Sequence, residues 1–104
     1  MRTLSTSWIE PSVLILGSLA GGPKHGYSLQ RDIESDDGVA LGAGTLYGAL
    51  ARLEAKGWIS ALSDEGRRRP YELTTKGAAV LAERLERMRI FVSVSSTRLK
   101  GLPA

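Results

Sequence analysis

The sequence has no cysteine and a single histidine, His25. The lack of thiols excludes disulfides and thiolate metal ligands, and one histidine cannot form a histidine dyad or a histidine-based metal cluster within one chain. No serine has a base partner that the sequence suggests. We therefore expect neither an enzyme nor a bound metal or other cofactor, and we assign His25 to orienting the turn in which it lies.

The sequence also lacks an apolar run of transmembrane length. The stretch VLILGSLAGG, residues 13–22, follows Arg2 and superficially resembles a secretory signal. Glu10 and Pro11 interrupt that pattern, and cleavage there would remove a helix that the remaining domain needs. We therefore expect no membrane segment and a cytoplasmic protein, a location that the absence of cysteine also fits.

The charge excess is small but locally concentrated. The 104 residues suffice for one domain that buries roughly two thirds of its unfolded surface. Fourteen basic and 11 acidic residues give a net charge of +3, which only weakly favours an anionic partner. Arg67, Arg68 and Arg69 are consecutive, so positive charge is dense at one place. An isolated run of this kind is also typical of a solvated loop.

The stretch GTLYGALARLEAKGWI, residues 44–59, predicts an amphipathic helix that leads directly into a strand. Helical spacing places Leu46, Leu50 and Leu53 on one stripe that faces a core. The opposite face carries Thr45, Gly48, Ala49, Arg52 and Lys56. Small residues near the start and cations near the end would let this helix approach a DNA groove closely. An ordinary surface helix has the same pattern, so neighbouring elements must decide.

Two helices are predicted before this one. The first runs from about Trp8 to Leu19, with Pro11 in its first turn, and the second from His25 or Gly26 to about Gly38. Val39–Leu41 is a candidate short strand. The glycines in GAGTLYG do not have the spacing of a nucleotide-binding loop. A cluster of acidic residues near the end of the second helix suits either a solvated helix end or a weak cation site: Asp32, Glu34, Asp36 and Asp37.

A hairpin and a long helix follow. Trp58–Ser63 and Tyr71–Thr74 are predicted strands joined by DEGRRRP, with Gly66 in the turn and the three arginines at the tip. Thr74 is the expected cap of a last helix that reaches about Lys100, roughly 40 Å. Its apolar seam consists of Ala78, Leu81, Leu85, Met88, Val92 and Leu99, with Ser95 at the remaining seam position. Ile90, Phe91 and Val94 add exposed apolar surface. We expect a homodimer through Leu81, Leu85, Met88, Val92 and Leu99, the alternative being a helix folded back on its own domain.

Three motifs, in this order, extend the interpretation: GPKHGYSL (residues 22–29), GTLYGAL followed by RLEAKGWI, and RRRPYELTTKG (residues 67–77). Together they resemble the PadR family of bacterial transcriptional regulators, over about residues 13–85. Gly48 is a departure, because many relatives have proline after the tyrosine. The resemblance is to the shorter branch, whose members dimerise through the first helix and a single C-terminal helix.

The predicted fold is mainly α with a small β-hairpin: a winged helix-turn-helix at residues 1–74 and a dimerisation helix at residues 75–104, in one compact unit. The resemblance implies a repressor that binds double-stranded DNA. Candidate DNA contacts are Gly26, Tyr27, Thr45, Tyr47, Gly48, Arg52, Lys56, Arg67, Arg68, Arg69 and Lys76. Tyr47 suits DNA contact and core packing equally well. A winged-helix module that binds protein instead of DNA is the alternative function.

Control by a small molecule is a further expectation from the resemblance, since some relatives bind aromatic or drug-like compounds between subunits. Trp8, Met88, Phe91 and Val92 could line such a space. A closed dimer core without ligand is equally compatible with these residues.

Overall fold

The computed structural model describes residues 9–62 and 69–103. Seven elements follow in order: α1 (Pro11–Leu19), β1 (Lys24–His25), α2 (Gly26–Asp37), α3 (Ala43–Ala55), β2 (Ile59–Ala61), β3 (Pro70–Leu73) and α4 (Thr75–Lys100). This is the predicted mainly helical, winged helix-turn-helix architecture with a long C-terminal helix. Trp8, Ser63, Gly66, Arg67 and Arg68 lie outside the described residues.

The core forms around α1, which is apolar on most of its circumference. Val13, Leu14, Ile15, Leu16 and Leu19 are all buried, and α2, α3, α4 and β3 pack around them. The predicted apolar stripe of α3 is also buried, together with residues from the other elements: Leu29, Ile33, Leu46, Ala49, Leu50, Leu53, Ile59, Tyr71 and Leu81. A helix that is apolar on several sides is expected at such a central position.

Helix α1 begins later than predicted, at Pro11 instead of Trp8. Glu10 is its N-cap and is extended, with φ −61° and ψ 144°. A residue before proline avoids the helical region because the proline ring clashes with its backbone. Pro11 itself is well placed in the first turn, where a missing amide donor costs little.

Glycines end the two helices of the helix-turn-helix. Gly38 stops α2 in the left-handed region, with φ 70°. Gly57, with φ 78°, ends α3 in a Schellman motif, in which its amide bonds the carbonyl of Glu54 and the Trp58 amide bonds that of Leu53, both at 3.0 Å. Helix α3 is therefore separated from β2 by a turn, whereas the sequence suggested a direct transition.

The predicted strand at Val39–Leu41 is wrong: this segment is a linker between α2 and α3 without regular secondary structure. Its side chains Val39 and Leu41 pack on the core, and the Leu41 carbonyl accepts a hydrogen bond of 2.6 Å from Gln30 Nε2. Because a side chain satisfies this carbonyl, the linker is held in place without a neighbouring strand.

The sheet has three antiparallel strands in the order β1-β3-β2, so the predicted hairpin gains a strand that the sequence did not reveal. Ile59 pairs with Leu73 on one side of β3, and Lys24 pairs with Tyr71 on the other. The strand β1 therefore connects the start of α2 to the hairpin. We refer to the β2–β3 hairpin and its connection, residues 59–73, as the wing.

Helix α4 begins as predicted. The Thr74 hydroxyl accepts a hydrogen bond from the Gly77 amide at 3.0 Å and donates one to the Gly57 carbonyl at 2.7 Å. The first part of α4 packs on the core, and the remainder extends beyond it. The described chain accordingly measures 60 × 34 × 20 Å, and its radius of gyration is 15.9 Å, against roughly 13 Å for a compact chain of this length.

Candidate nucleic-acid interface

Helix α3 presents a face of small residues. Thr45 and Arg52 are exposed, as predicted, and Gly48 is half-buried between them. Ala49 was assigned to this face incorrectly: it is 0% exposed and packs in the core. Helical spacing from Gly48 instead adds Ala51 and Ala55, both exposed, which the sequence interpretation missed.

Glycine at position 48 leaves open space above α3. A Cβ built there would have only the flexible end of Arg52 nearby, with Nη1 at 3.7 Å. The free protein therefore does not require glycine here for packing, although glycine weakens a helix by up to about 1 kcal/mol relative to alanine. This combination is expected where another molecule must approach the backbone closely.

Tyr47 joins α3 to the start of α2. Its side chain is 51% exposed, yet its ring lies so close to Gly26 that a Cβ there would be 2.6 Å from the tyrosine hydroxyl oxygen. Any larger residue at position 26 would displace Tyr47. Tyr47 thus packs against the backbone of Gly26 while about half of its surface stays exposed, and its contact with DNA stays a prediction.

A cavity of about 310 Å³ lies beside Tyr47. Its walls come from the end of β1, the first turn of α2, α3, β3 and the residue just before β3: His25, Gly26, Tyr27, Ser28, Tyr47, Arg69 and Tyr71. His25 is the N-cap of α2 but makes no side-chain cap hydrogen bond. Amide donors at the start of a helix favour an anion, and the Tyr47 hydroxyl and Arg69 guanidinium are further donors.

Arg69 is the one member of the arginine run that the structure describes. Its Nη2 lies 3.2 Å from Glu54 Oε2 on α3, and its guanidinium carbon lies 5.7 Å from the centre of the Tyr71 ring. Arg69 therefore connects the base of the wing to α3 while it lines the cavity. Sequence interpretation missed Glu54, because its partner is 15 residues away in the chain.

Two other predicted cations lie farther from the cavity. Lys56 caps the C-terminal end of α3, and its Nζ is 4.6 Å from the centre of the Trp58 ring. It is about 16 Å along the helix from Thr45, by the rise per residue. Lys76 is exposed in the first turn of α4. On α2, exposed Tyr27 has the Arg31 guanidinium 5.8 Å from its ring centre, a cation that the sequence interpretation omitted.

The predicted seam of α4 divides into two parts. Leu81 is 6% exposed because it belongs to the core of its own chain, and Met88 is partly buried against that core. Leu85, Val92 and Leu99 are each about half or more exposed. Other large apolar side chains on and just after α4 are exposed as well: Ile90, Phe91, Val94 and Leu102. Apolar surface of this extent on a projecting helix is typical of an interaction site.

An apolar groove of about 430 Å³ runs beside the first half of α4. Val13 and Leu14 of α1 form one wall, and Leu85 and Met88 of α4 form another. Of the four residues expected to line a ligand space, Met88 is in this groove, whereas Phe91 and Val92 are exposed farther along α4. Trp8 is outside the described residues.

Three acidic residues of α2 border the same groove: Asp32, Asp36 and Asp37. Asp32 accepts a hydrogen bond of 2.7 Å from Ser18 Oγ, and Lys24 Nζ lies 3.6 Å from the same oxygen. The Ser18 hydrogen bond, followed by the Lys24 charge, lowers the pKa of Asp32 below its ordinary 3.8.

Within residues 9–62 and 69–103, no group of three or more His, Cys, Asp or Glu side chains is arranged to hold a metal. None of the helices described is long and apolar enough to cross a membrane.

Comparison with known proteins identifies this arrangement. The model of the PadR-like family of transcriptional regulators matches residues 15–83, about two thirds of the chain. An uncharacterised 37.1 kDa protein in transposon TN4556 of Streptomyces fradiae is 49% identical over 72 residues, which are 69% of this chain and 21% of that protein. The chain thus spans about a fifth of the length of this curated relative.

Solved structures agree over almost the whole chain. A PadR family transcription regulator from Clostridium difficile R20291 is 28% identical with a TM-score of 0.74, covering 88% of this chain and 99% of its own. A PadR family regulator from Eggerthella lenta is 29% identical with a TM-score of 0.74, covering 88% and 82%. A transcriptional regulator from Clostridium thermocellum is 26% identical with a TM-score of 0.76, covering 93% and 97%. The chain therefore belongs to the PadR-like family of transcriptional regulators.

Proposed function

We propose that this protein is a cytoplasmic, homodimeric repressor that binds an inverted-repeat operator, with residues 1–74 contacting DNA and residues 75–104 pairing the subunits. The observation that carries the proposal is that Tyr47 of α3, the residue before Gly48, lines a cavity that gathers anion-binding groups. A base-reading helix needs such a neighbour, because phosphate contacts fix its register on the duplex.

Helix α3 enters the major groove in this proposal. Gly48, Ala51 and Ala55 let its backbone come close to base edges, and the Thr45 hydroxyl can donate or accept a hydrogen bond there. Arg52 follows on the same exposed side, and Lys56 at the far end of the helix reaches the backbone. A major groove about 12 Å wide admits a helix of this kind.

The cavity beside Tyr47 receives a DNA phosphate. The amides of Gly26 and Tyr27 at the start of α2 supply partial positive charge, and the Tyr47 hydroxyl and Arg69 add donors from two other elements. Three elements then hold one phosphate, which fixes the angle of α3. Arg67 and Arg68 in the wing and Lys76 on α4 contact further phosphates.

Pairing of two chains covers the exposed side of α4. Leu85, Val92 and Leu99 form the proposed interface with Met88. Leu81 contributes little to it, because its own core already covers it. A twofold dimer presents two α3 helices to successive turns of DNA, about 34 Å apart, and so requires an inverted repeat.

We also propose that the bound protein represses by blocking access to the promoter. A planar aromatic compound then releases the protein from its operator. Phe91 and Val92 are exposed on α4, one turn beyond Met88, and we propose that these three residues and Trp8 line an apolar space between the subunits. A ligand there acts by changing the separation of the two α3 helices, since a shift at the dimer interface alters operator fit. The alternative function, a protein-binding winged helix, has less support, because a protein partner does not require three adjacent arginines on the wing.

DNA selection tests the proposal. The purified protein is mixed with duplexes of random sequence, the bound fraction is amplified, and the enriched duplex is footprinted. We expect an inverted repeat whose half-sites are about one helical turn apart. Failure to enrich any sequence, or protection of a single asymmetric half-site, contradicts it.

A further inference from the structure

Glu54 is an acidic residue on the helix that reads DNA. It lies in the last turn of α3, and its carboxylate is 3.2 Å from Arg69 Nη2 at the base of the wing. A carboxylate near a polyanion opposes binding, so its position here requires an explanation. We explain the position of Glu54 by the other contacts of Arg69.

Glu54 and Tyr71 are among the groups that contact Arg69. Glu54 lies on one side, and the ring of Tyr71 lies 5.7 Å from the guanidinium carbon. Arg69 also lines the cavity that contains Tyr47 and the start of α2. A guanidinium has five N–H donors in a rigid fork, so a bond to Glu54 uses part of the fork and fixes the orientation of the rest.

We propose that Glu54 is a positioning residue for operator recognition: it presets the Arg69 guanidinium at the cavity between α2, α3 and the wing, so that a correctly docked operator phosphate meets an ordered donor. This inference rests on the proposed DNA-binding function. Glu54 does not contact the phosphate. It acts through Arg69, and it ties the wing to α3 so that both dock in one geometry.

The exposure of the Glu54–Arg69 ion pair is compatible with a positioning role rather than a stabilising one. The side chains of Glu54 and Arg69 are 37% and 39% exposed, and ion pairs with this exposure contribute little to stability. The Glu54–Arg69 pair instead orients the arginine, because a long side chain that is already ordered loses less conformational entropy when it binds a phosphate. Binding to arbitrary DNA gains less from this order, because it depends on the number of cations near phosphates rather than on their exact placement.

Glu54→Gln separates these effects. The variant retains the size of the side chain and removes its charge. Compared with wild type, we expect affinity for the selected duplex to fall roughly three- to tenfold per subunit. Affinity for a scrambled duplex should stay constant or rise slightly, since a negative charge is lost, and its salt dependence should not change. The melting temperature should remain close to that of wild type.

Two further variants make the test specific. Discrimination is the ratio of the affinity for the selected duplex to the affinity for the scrambled duplex. Arg69→Ala removes the residue that Glu54 is proposed to position, so Glu54→Gln should not reduce discrimination further in that background. Arg69→Lys keeps the charge without the fork, and should lose discrimination as Glu54→Gln does. Glu86→Gln is the matched control, because it removes a carboxylate paired with an arginine, Arg89, on α4. It should leave discrimination unchanged.

Several results would overturn the inference. Unchanged discrimination in Glu54→Gln is one, and an equal loss in the Arg69→Ala background is another, since Glu54 would then act independently of Arg69. Equal loss of affinity for both duplexes with a lowered melting temperature would make Glu54 merely structural. A wild-type protein without preference for any selected duplex would overturn the DNA-reading proposal as well, whereas a wild type that discriminates confines the failure to Glu54.

Discussion

Gly77 of α4 lies directly against the backbone carbonyl of Trp58, so closely that a Cβ on Gly77 would overlap the carbonyl oxygen. The Trp58 oxygen also accepts a hydrogen bond from the Thr74 amide at 3.1 Å. The first turn of α4 therefore packs against Trp58, the residue that precedes β2. Because residue 77 has no side chain, α4 can approach the backbone that leads into the wing this closely.

Replacement of Gly77 by alanine should destabilise the protein by about 1–3 kcal/mol, because the backbone must shift to admit the methyl group. Gly48→Ala is the control: it places the same methyl group in a helix where space is open. That variant should gain up to about 1 kcal/mol from helix propensity. Urea denaturation of both variants measures the difference, and equal stability of Gly77→Ala and wild type would contradict the packing described.

Leu85→Glu should prevent dimerisation. Leu85 is about half exposed in the single chain, so a carboxylate there is tolerated by the monomer fold but is buried in the proposed interface, where a lone charge is costly. We expect a monomer or insoluble protein by sedimentation velocity. Arg87→Glu is the control on the exposed side of α4, where Arg87 faces Glu83 at 3.8 Å, and it should remain dimeric. Wild-type protein that sediments as a monomer at tens of micromolar would refute the interface.

An aromatic effector should be detectable by fluorescence. The chain has two tryptophans, Trp8 and Trp58, so Trp58→Phe leaves Trp8 as the single tryptophan reporter. A planar ligand between the subunits should quench Trp8 and weaken operator binding with one dissociation constant, since both effects come from one binding event. A broad panel of aromatic compounds that changes neither signal would end the ligand proposal.

Acid should weaken the attachment of α1 to α2. The pKa of Asp32 is lowered by the Ser18 hydrogen bond and the Lys24 charge. Its contribution is therefore complete above the ordinary value of 3.8 and is lost as pH falls through the lower folded value, because the unfolded chain then binds more protons. Asp32→Asn should flatten the decline in unfolding free energy over this range, and Ser18→Ala should do so in part. Parallel curves for Asp32→Asn and wild type between about pH 2 and 5 would contradict this assignment.

Local patterns were sufficient for the helices. The stripe of Leu46, Leu50 and Leu53 predicted the buried side of α3, and Thr74 predicted the start of α4. Both signals depend on residues within two turns of each other. Ala49 was misplaced because an apolar stripe drawn through large residues omits a small one, although Ala49 lies three residues after Leu46 and four before Leu53 and so falls on the buried side.

Contacts between distant residues explain what the sequence did not reveal. The strand β1 contains two residues, Lys24 and His25, and forms only because β3 is available to pair with it. The pairing of Glu54 with Arg69 likewise requires the wing to fold back against α3. Neither has a periodic signal in the sequence, because the partners are brought together by the tertiary fold.

We assign sequence reading to α3 and phosphate binding to the wing, and titrations across about 50 to 200 mM salt separate the two. Replacing Arg67 and Arg68 by alanine should weaken selected and scrambled duplexes alike. If both arginines contact phosphates in each subunit, the slope of log affinity against log salt should flatten by about 3.6 for the dimer.

Gly48→Leu tests the assignment of sequence reading to α3. A Cβ at position 48 lies 3.7 Å from Arg52 Nη1 in the free protein, whereas we expect a leucine side chain to collide with a base pair in the proposed complex. Affinity for the selected duplex should fall, while affinity and salt slope for the scrambled duplex stay near wild type. The decisive measurement is the salt slope of both variants on both duplexes. We expect a flattened slope only in the wing variant and a lost preference for the selected duplex only in the α3 variant. A wing variant with the full wild-type slope, or a Gly48→Leu protein with full discrimination, would contradict it.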